Sequence, residues 1–282
     1  MNSKKLLSLY GLKWNPFSPD LPSEAIVRTS RFDHFVWRVE NLALEGGFAL
    51  ITGDSGLGKS VALRTLYEQL SKIREITVGA LSRPQSGLSD FYRELGTLFG
   101  IELRTSNRWG GYRLLREKWQ THIDSTLLRP VLLIDEAQEM PSTVLSELRL
   151  LASSQFDSQL LLTVVLAGDH RLTSRLKTPE LIPLGTRIRA RFVLETATKN
   201  DLLGLLREGL IRAGNPKLMT EGLLETLAEH SAGNPRILMA LANDILSYAA
   251  KKEIATLDES LYLDALPPSP RQPLKKNTAA SR

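Results

Sequence analysis

Gly53-Asp54-Ser55-Gly56-Leu57-Gly58-Lys59-Ser60 follows the pattern G-x-x-x-x-G-K-[ST], and the residues on either side of it decide the fold. Upstream, Phe48-Ala49-Leu50-Ile51 is an apolar run that reads as a short buried strand. Downstream, Val61, Ala62, Leu66 and Leu70 are spaced as on a helix laid against a sheet. Strand, glycine loop and helix N-terminus in that order aim several backbone N–H groups and a positive helix end at one point, where a triphosphate can sit. The sequence therefore predicts a nucleotide site built from Gly53, Asp54, Ser55, Gly56, Leu57, Gly58, Lys59, Ser60 and Val61. In it Lys59 neutralises β/γ-phosphate charge, and the Ser60 hydroxyl is a ligand for Mg2+. The bland alternative is a glycine-rich turn with an exposed lysine, and the flanking strand and helix argue against it.

The 282 residues suffice for one large domain or two ordinary ones, and 42% hydrophobic residues can fill a real core. With no cysteine and four scattered histidines, disulfides, thiolate metal sites and a cysteine nucleophile are excluded, and a zinc site is disfavoured. No apolar run approaches the roughly 20 residues of a bilayer span, and Met1-Asn2-Ser3-Lys4-Lys5-Leu6-Leu7 lacks a signal-peptide core, so a cytoplasmic protein without a membrane partner is expected. Of the net charge of +5, four positive charges sit on Arg271, Lys275, Lys276 and Arg282. The body is thus nearly neutral, and any nucleic-acid surface on it must come from local clustering.

Along the chain, four segments are expected: residues 1–47 as an N-terminal segment packed on the core, 48–197 as an α/β core, 198–266 as a helical lid, and 267–282 as a disordered basic tail. Helical spacing covers Arg31 to Leu44 and ends at Gly46-Gly47; a second strand follows at Ile76 to Leu81. Helices are expected at about Leu88 to Phe99, Trp109 to Ser125 and Pro141 to Ser154. Val131-Leu132-Leu133-Ile134-Asp135-Glu136 is an apolar strand whose end presents two carboxylates, the Walker B pattern. There Asp135 suits a Mg2+-associated carboxylate and Glu136 a base that polarises the attacking water. A fourth strand, Leu160 to Asp169, closes on a polar residue, so Asp169 is either a γ-phosphate or water sensor or part of a Gly-Asp turn. Arg187, Arg189 and Arg191 alternate and would share one face of an extended segment, as a solvated edge or as phosphate-seeking side chains. From Thr198 to Leu266 the pattern is helical throughout.

P-loop, Walker B, a polar-ended fourth strand, an arginine-bearing segment and a helical lid in this order resemble the AAA+ ATPases, and within them the ExeA-like group. The shared residues are Tyr10-Gly11-Leu12 with Asn15-Pro16-Phe17, Gly47 to Gly53, Leu133-Ile134-Asp135-Glu136-Ala137-Gln138, Val165-Leu166-Ala167-Gly168 and Gly233-Asn234-Pro235-Arg236. The resemblance implies an α/β P-loop fold, a three-layer parallel-sheet core with a small all-helical C-terminal lid, and an ATPase using ATP and Mg2+. It implies Asp135 as the Mg2+ carboxylate, Glu136 as the catalytic base, Asp169 as sensor one, Arg236 as sensor two and Arg187 as an arginine finger acting on a neighbour's nucleotide. Such a finger implies an oligomer, a ring or a helical filament.

Two functional classes share this architecture. ExeA-like proteins of secretion systems resemble envelope-associated ATPases acting on protein partners without DNA. The short basic tail is instead similar to the stand-alone regulators of transposition of the TnsC and MuB type, which bind double-stranded DNA and direct a transposase, with a target-selector protein as a further partner. That second resemblance is the favoured expectation, with hydrolysis driving disassembly. It places the DNA contacts on Arg83, Gln85 and Ser86 after the second strand, and on Asn107, Arg108 and Trp109 at the start of a later helix; the alternative is a pair of ordinary polar loops.

Overall fold

Five strands of six residues each, apolar on the faces they bury, set the sheet. The computed structural model describes residues 3–101, 108–155 and 158–265, which divide into two compact units, Arg28–Thr196 and a second made of the chain up to Val27 together with the chain from Ala197 onward. In the first unit, α2 (Ser30–Glu45) leads into β1 (Gly47–Thr52), α3 (Lys59–Leu70), β2 (Ile76–Leu81), α4 (Leu88–Leu98), α5 (Arg108–Thr126) and β3 (Arg129–Ile134). Then come α6 (Ser142–Ala152), β4 (Ser153–Ser154), β5 (Gln159–Leu160), β6 (Thr163–Gly168), α7 (His170–Arg175), α8 (Ile182–Gly185) and β7 (Ile188–Val193). Before them, α1 spans Ser3–Tyr10, and after them the second unit adds α9 (Lys199–Ala213), α10 (Glu221–His230), α11 (Pro235–Lys252) and α12 (Ser260–Ala265).

Five strands form one parallel sheet in the order β2-β3-β6-β1-β7. Alternate residues of each strand face opposite layers, as the two-residue period requires. Phe48, Leu50, Leu132, Ile134, Val164 and Leu166 join a core with Leu95, Leu115, Trp119 and Leu148 from α4, α5 and α6. Ala49, Ile51, Val131, Leu133, Val165 and Ala167 join the opposite core with Phe35, Val39, Leu66 and Leu70 from α2 and α3. The expected three-layer α/β architecture is therefore present. All five strands point the same way, so the polar residues that follow β1, β3 and β6 gather at one edge, where ligands of parallel sheets bind.

Two expectations need correction. The strand expected from Leu160 to Asp169 is divided: Leu160 pairs with Ser153 in the two-stranded antiparallel β4–β5, and the parallel strand begins at Thr163. The segment 1–47, expected to pack on the α/β core, is divided as well. Its helix α2 does lie on the sheet, but Leu6, Tyr10, Leu12 and Phe17 are buried in the helical unit with Leu206, Leu210, Leu246 and Leu257. Polar bonds fix that allegiance: the Tyr10 hydroxyl donates to the Ile254 carbonyl at 2.9 Å, and the Asn215 amide donates to the Tyr10 carbonyl at 2.9 Å. The Lys13 N–H donates to the Ala213 carbonyl at 2.8 Å, and the Asn15 amide to Asn243 Oδ1 at 2.8 Å. The tail 267–282 lies outside the described residues.

Candidate nucleotide site

The loop leaving β1 is held against both flanking strands. Gly53 donates its N–H to the Gly168 carbonyl at 3.3 Å, and Leu194 donates to the Thr52 carbonyl at 2.7 Å. A Cβ on Gly53 would lie 2.7 Å from the Leu194 carbonyl oxygen, so only glycine fits there. At Gly58 the constraint is conformational: φ is +104°, in the left-handed region that glycine adopts without penalty. Gly58 caps α3 with no side-chain bond, leaving the first-turn N–H groups for a ligand at the positive helix end. Lys59 is 6% exposed, and its ammonium donates to the carbonyls of Gly53 at 2.9 Å and Asp54 at 3.1 Å. The chain thus holds this cation inside the loop, where phosphate oxygens can take over its bonds. Ser60 and Val61 follow on the first turn, both exposed.

β3 is buried almost throughout and delivers Asp135 and Glu136 to the same edge. Asp135 is half-buried, and its Oδ1 accepts the Glu136 N–H at 2.9 Å. Glu136 is exposed and sits at φ 49°, ψ 39°, left-handed for a residue with a Cβ, a conformation costing on the order of 1–3 kcal/mol that typically persists at functional sites. No cluster of three His, Cys, Asp or Glu that could hold a metal occurs among the described residues. Mg2+ keeps several waters and takes one or two protein oxygens plus substrate phosphates. Asp135 and the Ser60 hydroxyl are the two oxygens that would hold such an ion, which there would neutralise charge on the phosphates.

At the end of β6, Asp169 caps α7. Its carboxylate accepts from the Arg171 N–H and Nε, both at 2.8 Å, and Arg171 also pairs with Glu139 Oε1 at 2.8 Å. Burial pushes the Asp169 carboxyl up, but the Arg171 hydrogen bonds and charge outweigh it and hold the group below its ordinary value. His170 Nδ1 lies 3.7 Å from Asp54 Oδ1, so the residue after Asp169 meets the phosphate loop directly. Between these groups stands Gln138, which closes the shared stretch Leu133 to Gln138 but is given no role in the sequence reading. Its side-chain amide donates to Glu136 Oε2, and its Oε1 accepts the Asp169 N–H at 3.3 Å.

Residues 43–176 match the family described as AAA domain. The α/β unit has the P-loop AAA+ fold. Over 243 residues the chain is 31% identical to General secretion pathway protein A of Aeromonas hydrophila, covering 84% of this chain and 43% of that protein. The chain therefore spans less than half the length of this relative. Among solved structures, Cdc6p from Pyrobaculum aerophilum is similar with a TM-score of 0.68 at 17% identity, over 86% of this chain and 67% of that one. The ORC1 protein of Aeropyrum pernix, in a structure of its complex with DNA, gives a TM-score of 0.67 at 16% identity, over 89% and 67% of the two chains.

Within the AAA+ domain the remaining candidates separate. Arg187 is half-buried just before β7 and donates to the Pro183 carbonyl at 2.7 Å. Only Arg189 and Arg191 lie on the strand, on its exposed side opposite Ile188, Ala190 and Phe192. Arg189 pairs with Glu45 at 2.7 Å, and Arg191 donates to the Gly185 carbonyl at 3.1 Å. Arg236 belongs to the helical unit, exposed on the first turn of α11, where its N–H is capped by Asn234 Oδ1 at 3.0 Å. Arg83 and Gln85 are exposed in the turn after β2, closed by the Ser86 N–H donating to the Arg83 carbonyl at 3.2 Å. Asn107 lies outside the described residues. Arg108 opens α5, and Trp109 on it is 72% exposed, stacked on Tyr112 at 5.6 Å, with the Arg116 guanidinium 5.0 Å above the Tyr112 ring.

Proposed function

We propose that this chain is an ATP-hydrolysing oligomeric switch that binds double-stranded DNA and regulates DNA transposition, recruiting or activating a transposase at a target. ATP enters at Gly53 to Val61, Asp135 and Ser60 hold Mg2+, and Glu136 draws the proton from the attacking water. Asp169 responds to the γ-phosphate, and Arg187 reaches the nucleotide of a neighbouring copy, so that bound ATP stabilises the assembly and hydrolysis dissolves it. The switch works in the cytoplasm; no helix among the described residues is long and apolar enough to cross a membrane.

The observation that carries the DNA reading is the solvent-facing surface at the start of α5. Tyr112 packs on the core and Arg113 pairs with Glu117 at 2.8 Å, but the Trp109 ring stacked on Tyr112 is 72% exposed and offers an open aromatic face. Guanidinium groups and stacked aromatic rings are the usual means of holding nucleic acid by backbone and base faces. Together with Arg83 and Arg108 they supply phosphate contacts without base readout. Filter binding of duplex DNA, with and without a slowly hydrolysed ATP analogue and across a salt series, tests this. Tight, analogue-dependent and salt-sensitive binding is expected, with the paired change of Arg83 and Arg108 to Ala lowering the slope of log affinity against log salt by about one per lost phosphate contact. Unchanged binding and slope would remove these residues from the interface.

A second reading follows from the 31% identity to General secretion pathway protein A. On it, the same switch acts on protein partners of a secretion system and never meets DNA. Nucleotide-dependent assembly with no affinity for duplex at any salt concentration would favour that reading.

A further inference from the structure

Gln138 is a buried polar side chain, 6% exposed, in the turn after the two Walker B acids. A carboxylate can only accept and a backbone N–H can only donate, so its two partners dictate the orientation of its carboxamide. The nitrogen faces Glu136 Oε2, and the oxygen faces the Asp169 N–H. Space for the oxygen exists because residue 168 is glycine: a Cβ there would fall 2.6 Å from Gln138 Oε1. The backbone of Gln138 is also fixed, since Arg175 on α7 donates to its carbonyl at 2.6 Å and to Ser142 Oγ on α6 at 3.1 Å. One rigid amide therefore bridges the exposed carboxylate of Glu136 and the end of β6.

We propose that Gln138 is a positioning residue for ATP hydrolysis. It orients the Glu136 carboxylate and couples that orientation to the β6–α7 junction at Asp169. This rests on the reading of Glu136 as the base. Without the amide, an exposed glutamate at a left-handed backbone position would sample several side-chain orientations, of which few aim at a water in line with the γ-phosphate. Any shift of the β6 end would move Glu136 through the same amide, which gives the site a mechanical link from strand end to base.

Two variants and one cycle test the proposal. Gln138→Met keeps the length and volume of the side chain and loses both hydrogen bonds, whereas Gln138→Glu keeps the shape and replaces the donor by an acceptor. Both are expected to bind a fluorescent ATP analogue within about twofold of the parent and to lower kcat about tenfold to a hundredfold with little change in KM. In a Glu136→Gln background, Gln138→Met is expected to leave the single-turnover rate unchanged, because the two residues act as one unit. A kcat at the parent level in either variant, or a further loss in the double variant, overturns the positioning role. If Glu136→Gln alone turns over normally, the base assignment fails, and this inference with it. Should the methionine variant lose its fold by circular dichroism, the glutamate variant decides alone.

Discussion

Gly53 and Gly58 belong to one loop and are required for different reasons. At Gly58 no atom lies within 4 Å of an added Cβ, and the demand comes from a φ of +104°. At Gly53 the backbone is ordinary, and the demand comes from the Leu194 carbonyl. That carbonyl cannot step aside easily, since the Leu194 N–H is bonded to Thr52 at 2.7 Å. Gly53→Ala is therefore expected to destabilise the AAA+ domain by about 1–3 kcal/mol and to weaken nucleotide binding, because the loop must shift away from the strand that anchors it. Thermal melting and titration with a fluorescent nucleotide check this; a parent-like melting temperature would show that the loop yields freely. The motif alone predicts a glycine at both places, but only the fold separates the causes. Gln138 illustrates the opposite limit. Its bond to Glu136 is local, yet its bond to Asp169 joins residues 31 apart in sequence, and no periodicity or spacing encodes that contact.

At the scale of elements, the central strands were legible because their burial is almost complete. A run such as Val131 to Ile134 has no polar residue to place it anywhere but the middle of a sheet. What could not be read was the allegiance of the first residues. Leu6, Tyr10 and Phe17 are apolar in a way that suits any core, and the partners that claim them lie two hundred residues later. Helix starts were more legible, since their signals are local. Thr198 and Asp201 form a reciprocal cap on α9: the Asp201 N–H donates to Thr198 Oγ1 at 3.2 Å, and the Thr198 N–H donates to Asp201 Oδ2 at 2.9 Å. Thr198→Ala is expected to cost about 1 kcal/mol. The Thr198 hydroxyl, donating at 2.6 Å, and then the Thr198 N–H hold the Asp201 carboxyl below its ordinary value. A carboxyl depressed in the folded state stabilises it above the unfolded-state pKa of about 3.9 and ceases to do so as the pH falls through the folded-state value. The stability gap between parent and variant, read by urea denaturation, should be constant from pH 7 to 5 and narrow below about pH 4. A gap that widens on acidification would contradict the cap.

The whole molecule poses the question of how nucleotide state becomes a signal. Within one chain, the AAA+ domain brings together the phosphate loop, Asp135, Glu136, Gln138 and Asp169, whereas Arg187 stands just before the edge strand β7. An edge is where a second copy can approach, and the exposed side of this strand carries Arg189 and Arg191, both engaged within the chain. On the proposed account, Arg187 completes the site of the next copy, where an arginine of this kind is worth roughly 10³ to 10⁵ in rate. Arg187→Ala is thus expected to bind ATP normally and to lose the turnover that rises with protein concentration. The alternation of Arg187, Arg189 and Arg191 leaves open a solvated edge or phosphate-seeking side chains, and it is the AAA+ resemblance that singles out Arg187; the strand itself includes only the second and third members of the row.

Assembly governed by nucleotide is the claim on which the account stands, and sedimentation velocity measures it directly. The protein is run alone, with ADP, and with a slowly hydrolysed ATP analogue, each with and without duplex DNA, alongside Arg187→Ala. The account predicts slow, monomer-sized boundaries without the analogue, fast boundaries with it that grow further on DNA, and their loss in the variant. A single monomer boundary under every condition would contradict it.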